Sequence, residues 1–161
     1  MVFQSGVSLA LLTSGGNSIK EDAQRLLRER IQIPTGSVAH TSAGSLDAKH
    51  LIHVVGPHNG PSQLGLDKGR LLEFAVQNTL KKANDLGCES LSMPAIFAGH
   101  FGFPREQCAR ILLKSIKVFQ EMQAELMAVD PDYTQSLRKI RLIDSNPLMT
   151  QAFMEELSTV R

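Results

Sequence analysis

Short segments with strand character alternate with long helical patterns from residue 37 onward, and this order limits the possible folds. The strand-like segments are short, rich in apolar residues and bounded by glycine and proline, whereas the helical segments repeat apolar residues every three or four positions. Because strands that alternate with helices pack into layers, the chain is expected to form an α/β fold. The expected strands cover residues 37–43, 50–55, 90–96 and 140–143, and the strand at 90–96 is expected to be buried.

Glycine, proline and asparagine mark the expected helix ends. Gly15 and the glycine after it separate two N-terminal helices, and Gly87 ends a long amphipathic helix. Asn146 followed by Pro147 is typical of the cap and first turn of a last helix. The helix expected to open at Pro104 carries one apolar stripe, which is expected to face the core and is made of Cys108, Ile111, Leu112, Ile116, Phe119, Met122 and Leu126.

Length and charge favour one domain over residues 1–161. A chain of 161 residues is long enough to bury a core, and 17 basic against 16 acidic residues give a formal net charge of +1. Near-neutral charge provides no general attraction to nucleic acid or to an anionic membrane. Neither is therefore an expected partner.

The two cysteines, Cys88 and Cys108, do not form a CxxC or Cys/His spacing, so no metal site is predicted and no cofactor is expected. The first residues lack a basic stretch followed by an apolar run, and no apolar run reaches membrane-spanning length. An intracellular location, cytoplasmic or nuclear, is expected.

The segment from Met93 to Pro104 is the best candidate for a binding site. A strand runs into a glycine-containing loop and then into a helix start, an order that can turn backbone N–H groups toward an anion. By itself this order is also that of a plain connection.

This segment resembles the macro domain loop with the pattern Pro-Ala-Ile-Ser-Thr-Gly-x-aromatic-x-aromatic-Pro. Three further stretches resemble the same family, in the same order along the chain. They are Gly6-Val7-Ser8-Leu9-Ala10-Leu11 with Gly15-Gly16, Pro34-Thr35-Gly36-Ser37-Val38, and Val54-Val55-Gly56-Pro57. The resemblance implies a three-layer α/β/α fold with a mixed sheet, and it covers nearly the whole chain.

The resemblance also implies an ADP-ribose pocket. The backbone from Ala98 to Phe101 would hold the diphosphate, with the Phe101 ring on the distal ribose and Gly6 and Val7 forming a second edge at a helix N-terminus. The adenosine end would meet Asp144 and Asn146, and the alternative for Asn146 is that it only caps a helix. The full set of expected contacts is Gly6, Val7, Ser8, Ala98, Gly99, His100, Phe101, Gly102, Phe103, Asp144 and Asn146.

Two segments of the family pattern have no counterpart, so the expected fold is N-terminally truncated. They are a strand leading to the aspartate that reads adenine, and a strand ending in Asn-Ala-Ala-Asn, whose loss would weaken ligand binding. In the family the second strand lies between those expected here at 50–55 and 90–96. Unpaired strand edges are costly to bury, so we expect these two strands to pair directly or the gap to take a partner strand or a second copy.

Three functions are compatible with these features. The first is a binding module for ADP-ribose or ADP-ribosylated protein, similar to the macro domains of poly(ADP-ribose) polymerases, which carry a small residue at the position of Ser8. The second is a divergent mono-ADP-ribosyl hydrolase, with Ser8 and His100 as catalytic candidates. Ser8 stands where hydrolytic members carry an aspartate, and a serine cannot act as a carboxylate base. The third is a degenerate domain that mediates protein–protein interaction.

Overall fold

The computed structural model describes residues 6–29, 34–56, 67–98 and 102–159. Helices and strands follow in the predicted order, so the expected α/β class is confirmed. The elements are α1 (Gly6–Gly15), α2 (Asn17–Glu29), β1 (Val38–Ser42), β2 (His50–Val54), α3 (Lys68–Asp85), β3 (Ser90–Met93), α4 (Arg105–Val129), β4 (Lys139–Leu142) and α5 (Pro147–Thr159).

The strands form two separate pairs among the described residues. β1 and β2 are antiparallel, with Val38 opposite Val54, and β3 and β4 are parallel, with Ser90 opposite Lys139. The expected direct pairing of β2 with β3 is therefore wrong. The hairpin packs on α2 and α3, and β3 pairs with β4. These contacts do not bring the edge of β2 that faces away from β1 against the edge of β3 that faces away from β4.

β3 is shorter than predicted, because it ends at Met93 rather than at residue 96. Pro94 has no N–H group and cannot continue a ladder. The strand was also expected to be buried, yet Ser90 and Ser92 are exposed. The residues after Met93 form turns instead of strand, and these turns begin the candidate site.

One hydrophobic core lies between the helices α3, α4 and α5 and both strand pairs. Ile52 of β2 and Leu91 of β3 pack against this same core. The two sheets therefore share one packing surface although no strand of the described chain joins them. Fully buried residues at its centre are Leu72, Val76, Leu80, Cys108, Leu112 and Phe119.

The apolar stripe of α4 faces the core only as far as Phe119. Met122 is 42% exposed and Leu126 is 37% exposed, contrary to prediction. In this last part of the helix the buried position is taken by Gln123, which accepts a hydrogen bond from the Tyr133 hydroxyl. α4 has 25 residues and its last turns extend beyond the apolar core.

The hairpin turn docks on the junction between α1 and α2. The Ser45 N–H donates to the Gly15 carbonyl oxygen at 3.0 Å. Gly44 has a φ of 59°, and a Cβ there would lie 2.2 Å from the same oxygen. Only glycine allows this close approach of two backbone segments.

Candidate functional site

The loop after β3 is closed by hydrogen bonds between its own ends. The Ala98 N–H donates to the Ala95 carbonyl at 3.2 Å, and the Phe103 N–H donates to the Phe97 carbonyl at 3.2 Å. Both amides are therefore engaged inside the loop. Anion contacts from this loop would have to come from the residues between them.

The structure describes only part of the predicted diphosphate loop. Gly99, His100 and Phe101 lie outside the described residues, as does Pro57 of the family-like strand. Gly102 is exposed and has a φ of 65°, and among the described residues no atom lies within 4 Å of a Cβ placed there.

Phe103 was expected to contact ligand, but its ring is buried in the hydrophobic core. The neighbouring Pro104 occupies the N-cap position of α4 and supplies no side-chain oxygen to the first turn. By contrast, Asp67 caps α3 and the Asn146 side chain accepts the Leu148 N–H at the start of α5. The first-turn amides of α4 thus lack the side-chain acceptor that the other two helices have.

Sequence reasoning missed two residues that shape this loop. Phe97 has a φ of 70°, the sole positive value for a non-glycine residue in the described ranges, and it is buried. Cys108 is fully buried, and its thiol donates to the Ile96 carbonyl at 3.4 Å. The available signal was that Phe97 stands where the family pattern has serine.

Asp144 lies next to this loop. β3 and β4 are parallel, so both strands end at the same edge of the sheet, where the Ile143 N–H donates to the Met93 carbonyl at 3.0 Å. Burial raises the pKa of the Cys108 thiol to about 12, and the nearby Asp144 carboxylate contributes to the rise. Asp144 and the loop, which were predicted to belong to one site, are brought together.

Asp144 and Asn146 also have local structural roles. One Asp144 carboxylate oxygen accepts the Asn146 N–H at 2.8 Å, and the Asn146 side-chain oxygen accepts the Leu148 N–H at 3.0 Å. The interpretation of Asn146 as a helix cap is confirmed. Its side chain remains exposed.

The remaining predicted contacts, Gly6, Val7 and Ser8, form the start of α1. All three are exposed, and α1 packs on α2. Gly6 has a φ of 57°, so the chain enters the helix through a backbone conformation that favours glycine.

An open cavity of about 350 Å³ lies between α2 and the hairpin. On one side the Ser42 hydroxyl donates to Asp22 at 2.7 Å, and this hydrogen bond lowers the pKa of that carboxyl. On the other side the rings of His40 and His50 meet edge to face, with centroids 5.7 Å apart. This cavity lies away from the loop after β3, because it is lined by Asp22, Arg25, Leu26, His40, Thr41, Ser42, Lys49 and His50.

A buried histidine stands behind this cavity. His53 Nε2 and the Thr41 hydroxyl are 2.9 Å apart. Burial lowers the pKa of His53 from its ordinary value of 6.5, and the nearby His40 lowers it further. His53 is therefore neutral in the folded protein at neutral pH.

The described ranges hold neither a metal-binding cluster nor a membrane-spanning helix. Histidine, cysteine, aspartate and glutamate do not gather there in a group of three or more that could hold a metal ion. In the same part of the chain, no helix combines the length and apolar character needed to cross a membrane.

Residues 1–112 match the macro domain family, so the chain belongs to the macro domains. Members of this family bind ADP-ribose, and some members hydrolyse ADP-ribose compounds. The expected family is confirmed, and the predicted three-layer α/β/α class agrees with it.

Relatives of this chain are longer proteins. A Thermotoga maritima protein is 40% identical over 153 residues, which are 95% of this chain and 24% of that protein. The mouse protein mono-ADP-ribosyltransferase PARP9 is 30% identical over 92% of this chain and 16% of its own length. An Escherichia fergusonii protein named O-acetyl-ADP-ribose deacetylase is 37% identical over 71% of this chain and 63% of its own length.

The fold is also that of solved macrodomains. An Oceanobacillus iheyensis macrodomain solved with ADP superposes with a TM-score of 0.79 at 24% identity, over 99% of this chain and 78% of that one. A Trypanosoma brucei macrodomain in complex with ADP gives a TM-score of 0.72 at 20% identity, over 96% and 57% of the two chains. At this level of identity the likeness shows a common fold.

Proposed function

We propose that this chain binds ADP-ribose, free or attached to a protein, through the loop that follows β3. The observation that carries the proposal is the closed loop itself: its ends are held by the Phe103 to Phe97 hydrogen bond, and it leads into a helix whose first turn lacks a side-chain cap. Backbone N–H groups at such a helix start attract phosphate.

The amides of Ala98 and Phe103 are engaged within the loop, which narrows the proposed diphosphate contacts to the backbone from Gly99 to Gly102. The exposure of Gly102 supports this assignment, since a diphosphate needs close access to the main chain. Asp144, at the same edge of the sheet, is proposed to face the adenosine end.

Two exposed glycines give a matched test. Gly102 and Gly87 have φ values of 65° and 69°, and a Cβ added at either would have no atom within 4 Å. Gly87 precedes β3 and so lies at the opposite end of that strand. Replacing either by glutamate imposes the same backbone cost, but only Gly102→Glu would put a carboxylate beside the proposed diphosphate.

Isothermal titration with ADP-ribose is the measurement, with AMP as the ligand that lacks a diphosphate. Native protein and Gly87→Glu are expected to give the same saturable binding, and Gly102→Glu should weaken it about tenfold or more by charge repulsion. AMP should bind more weakly than ADP-ribose. Folded native protein that gives no saturable heat, or equal losses in both variants, would contradict the proposal.

Hydrolysis is tested on the same proteins, because one relative carries the name O-acetyl-ADP-ribose deacetylase. Ser8 and His100 are the candidate catalytic residues. A binding module should release no acetate from O-acetyl-ADP-ribose above the buffer rate. Acetate release by the native protein that disappears in Ser8→Ala or His100→Ala would show that the protein is a hydrolase rather than a binding module.

The unpaired strand edges favour a second function, a contact with an extended polypeptide segment. In the hairpin the Val55 N–H donates to Ser37, so by alternation the main-chain groups of Ile52 and Val54 point away from β1. In the other sheet Glu89 and Met93 accept hydrogen bonds from the β4 side, so the groups of Ser92 point away from β4. A segment that pairs with both edges must have both of its own edges free. Strands β1 to β4 of a second copy do not meet this condition, because each is already paired along one edge.

Hydrogen exchange measured by NMR tests this contact. The Ile52, Val54 and Ser92 amides should exchange fast in the dilute protein, whereas the His53 amide, which faces β1, should exchange slowly. A synthetic peptide of alternating valine and threonine should protect the three amides, and Ser92→Pro should prevent this. Protection that appears with rising protein concentration and a doubled mass would indicate a second copy instead.

A further inference from the structure

The backbone at Phe97 requires an explanation. A φ of 70° is disfavoured for an aromatic residue, because its Cβ crowds the following carbonyl oxygen. Such conformations persist where surrounding contacts hold them, and they concentrate at functional sites. The ring is only 6% exposed, so it contributes to the core while the backbone turns.

Two successive carbonyl groups at this turn accept hydrogen bonds from the helix side of the loop. The Cys108 thiol donates to the Ile96 carbonyl at 3.4 Å, and the Phe103 N–H donates to the Phe97 carbonyl at 3.2 Å. We call the four residues Ile96, Phe97, Phe103 and Cys108 the loop clamp. It joins the beginning of the loop to the first turn of α4 and to Phe103, which lies two residues before that helix.

The thiol can act as a donor throughout the neutral range. Burial raises the pKa of Cys108 to about 12, so the sulfur keeps its proton. A buried cysteine is often no more than a small apolar residue in a core. Here it has a carbonyl oxygen as its partner, and that oxygen belongs to the residue before the strained turn.

We infer that Cys108 is a positioning residue for the loop: by donating to the Ile96 carbonyl it holds the turn at Phe97, from which the proposed diphosphate loop starts. This inference rests on the proposed ADP-ribose function. It also explains why the strained backbone at Phe97 is retained. A turn that is fixed before binding loses less conformational freedom when the ligand binds.

The test compares Cys108→Ala, which removes the donor, with Cys108→Ser, which keeps one. Cys88→Ala is the control, because Cys88 is a half-buried free cysteine that precedes β3. Two quantities are measured: the Kd for ADP-ribose by titration, and the exchange rate of the Phe103 amide in ligand-free protein by NMR.

Cys108→Ala should raise the Kd about fivefold and accelerate Phe103 exchange by a similar factor, as expected for the loss of one hydrogen bond. Cys108→Ser should restore most of both effects, and Cys88→Ala should change neither. Exchange in α3 should remain unchanged, which separates a local effect from a general loss of stability.

Unchanged values in Cys108→Ala, or equal losses in the alanine and serine variants, would overturn the inference and leave Cys108 as a packing residue. If exchange responds as expected but native protein does not bind ADP-ribose, the clamp exists and both the proposed function and the positioning role fail. If native protein binds ADP-ribose but the Cys108 variants change neither the Kd nor the exchange rate of the Phe103 amide, the proposed function stands and the inference fails.

Discussion

Two loops in this molecule use glycine in the left-handed region for different reasons. In the hairpin turn Gly44 has a φ of 59°, and a Cβ there would lie 2.2 Å from the Gly15 oxygen and 2.8 Å from the Ser18 hydroxyl. In the loop after β3 Gly102 has a φ of 65°, but no atom of the described residues lies within 4 Å of the same position. Gly44 is needed for its left-handed backbone and for the close packing of two backbone segments, whereas Gly102 is needed only for its left-handed backbone.

This difference separates a structural turn from a candidate binding loop. A turn that is filled by its own chain leaves no room for a ligand. The loop after β3 is held at its ends by hydrogen bonds and exposes Gly102, so it is the better candidate for recognition of a diphosphate.

Gly44→Ala should have the largest effect, a loss of about 2–4 kcal/mol in the free energy of unfolding. Overpacking against backbone atoms and the unfavourable φ both contribute. Urea denaturation measures it, with Gly87→Ala as the control for φ alone. If the two variants lose the same stability, close packing at the hairpin turn is not what requires glycine.

Asn146→Ala should cost about 1 kcal/mol, because α5 loses the side-chain acceptor for the Leu148 N–H. Asn146→Ser should keep most of the stability, since serine is a comparable cap. Titration of both variants with ADP-ribose decides whether Asn146 does more. Weakened binding in both, with stability retained in the serine variant, would make Asn146 a ligand contact.

Gly102→Ala should cost only about 0.5–1 kcal/mol, because the left-handed cost for alanine is partly offset by a less flexible unfolded chain. No packing loss is expected, since no atom of the described residues lies within 4 Å of the new Cβ. Thermal or urea unfolding measures it beside Gly44→Ala. A loss as large as that of Gly44→Ala would mean that the loop is filled and that the contrast is false.

The smallest effect is a change in pH dependence at His53 behind the hairpin. The pKa of His53 is lowered by burial, so the unfolded chain takes up a proton near pH 6.5 that the folded protein does not yet bind. The unfolded state then binds more protons, and stability must fall as pH decreases from about 7 through this window. In the native protein the urea midpoint should be lower at pH 5.5 than at pH 7.5. This difference should become smaller in His53→Gln and should be unchanged in His50→Gln.

A His53→Gln variant that keeps the native pH slope would show that another group is responsible. Asp22 does not interfere in this window. The pKa of its carboxyl is lowered from 3.8 by the Ser42 hydrogen bond, so the stability linked to Asp22 is lost only at more acidic pH.

Several elements could be predicted because their causes are local. Gly16, Gly87 and Asn146 end or begin helices through conformations and hydrogen bonds that involve only nearby residues. Met122 and Leu126 were wrongly expected to be buried, because periodicity identifies a face of a helix but not where the neighbouring core ends.

The candidate site was predictable only in part. The order of strand, glycine-containing loop and helix identified the loop, and the shared edge of parallel strands agrees with the expected closeness of Asp144. The burial of Phe103 and the engagement of the Ala98 amide could not be read from residue types, because both depend on how the loop folds back on itself.

The sequence by itself determined the α/β class, the order of the elements and the membership in the macro domain family, since these depend on periodicity and on short motifs. Tertiary structure alone decided that β2 and β3 do not pair with each other in the described chain, that Phe97 takes a strained backbone, and that Cys108 donates to the Ile96 carbonyl. The reason is physical: edges and carbonyl groups find partners across long separations along the chain, and only the packed core sets which of them come within hydrogen-bond distance.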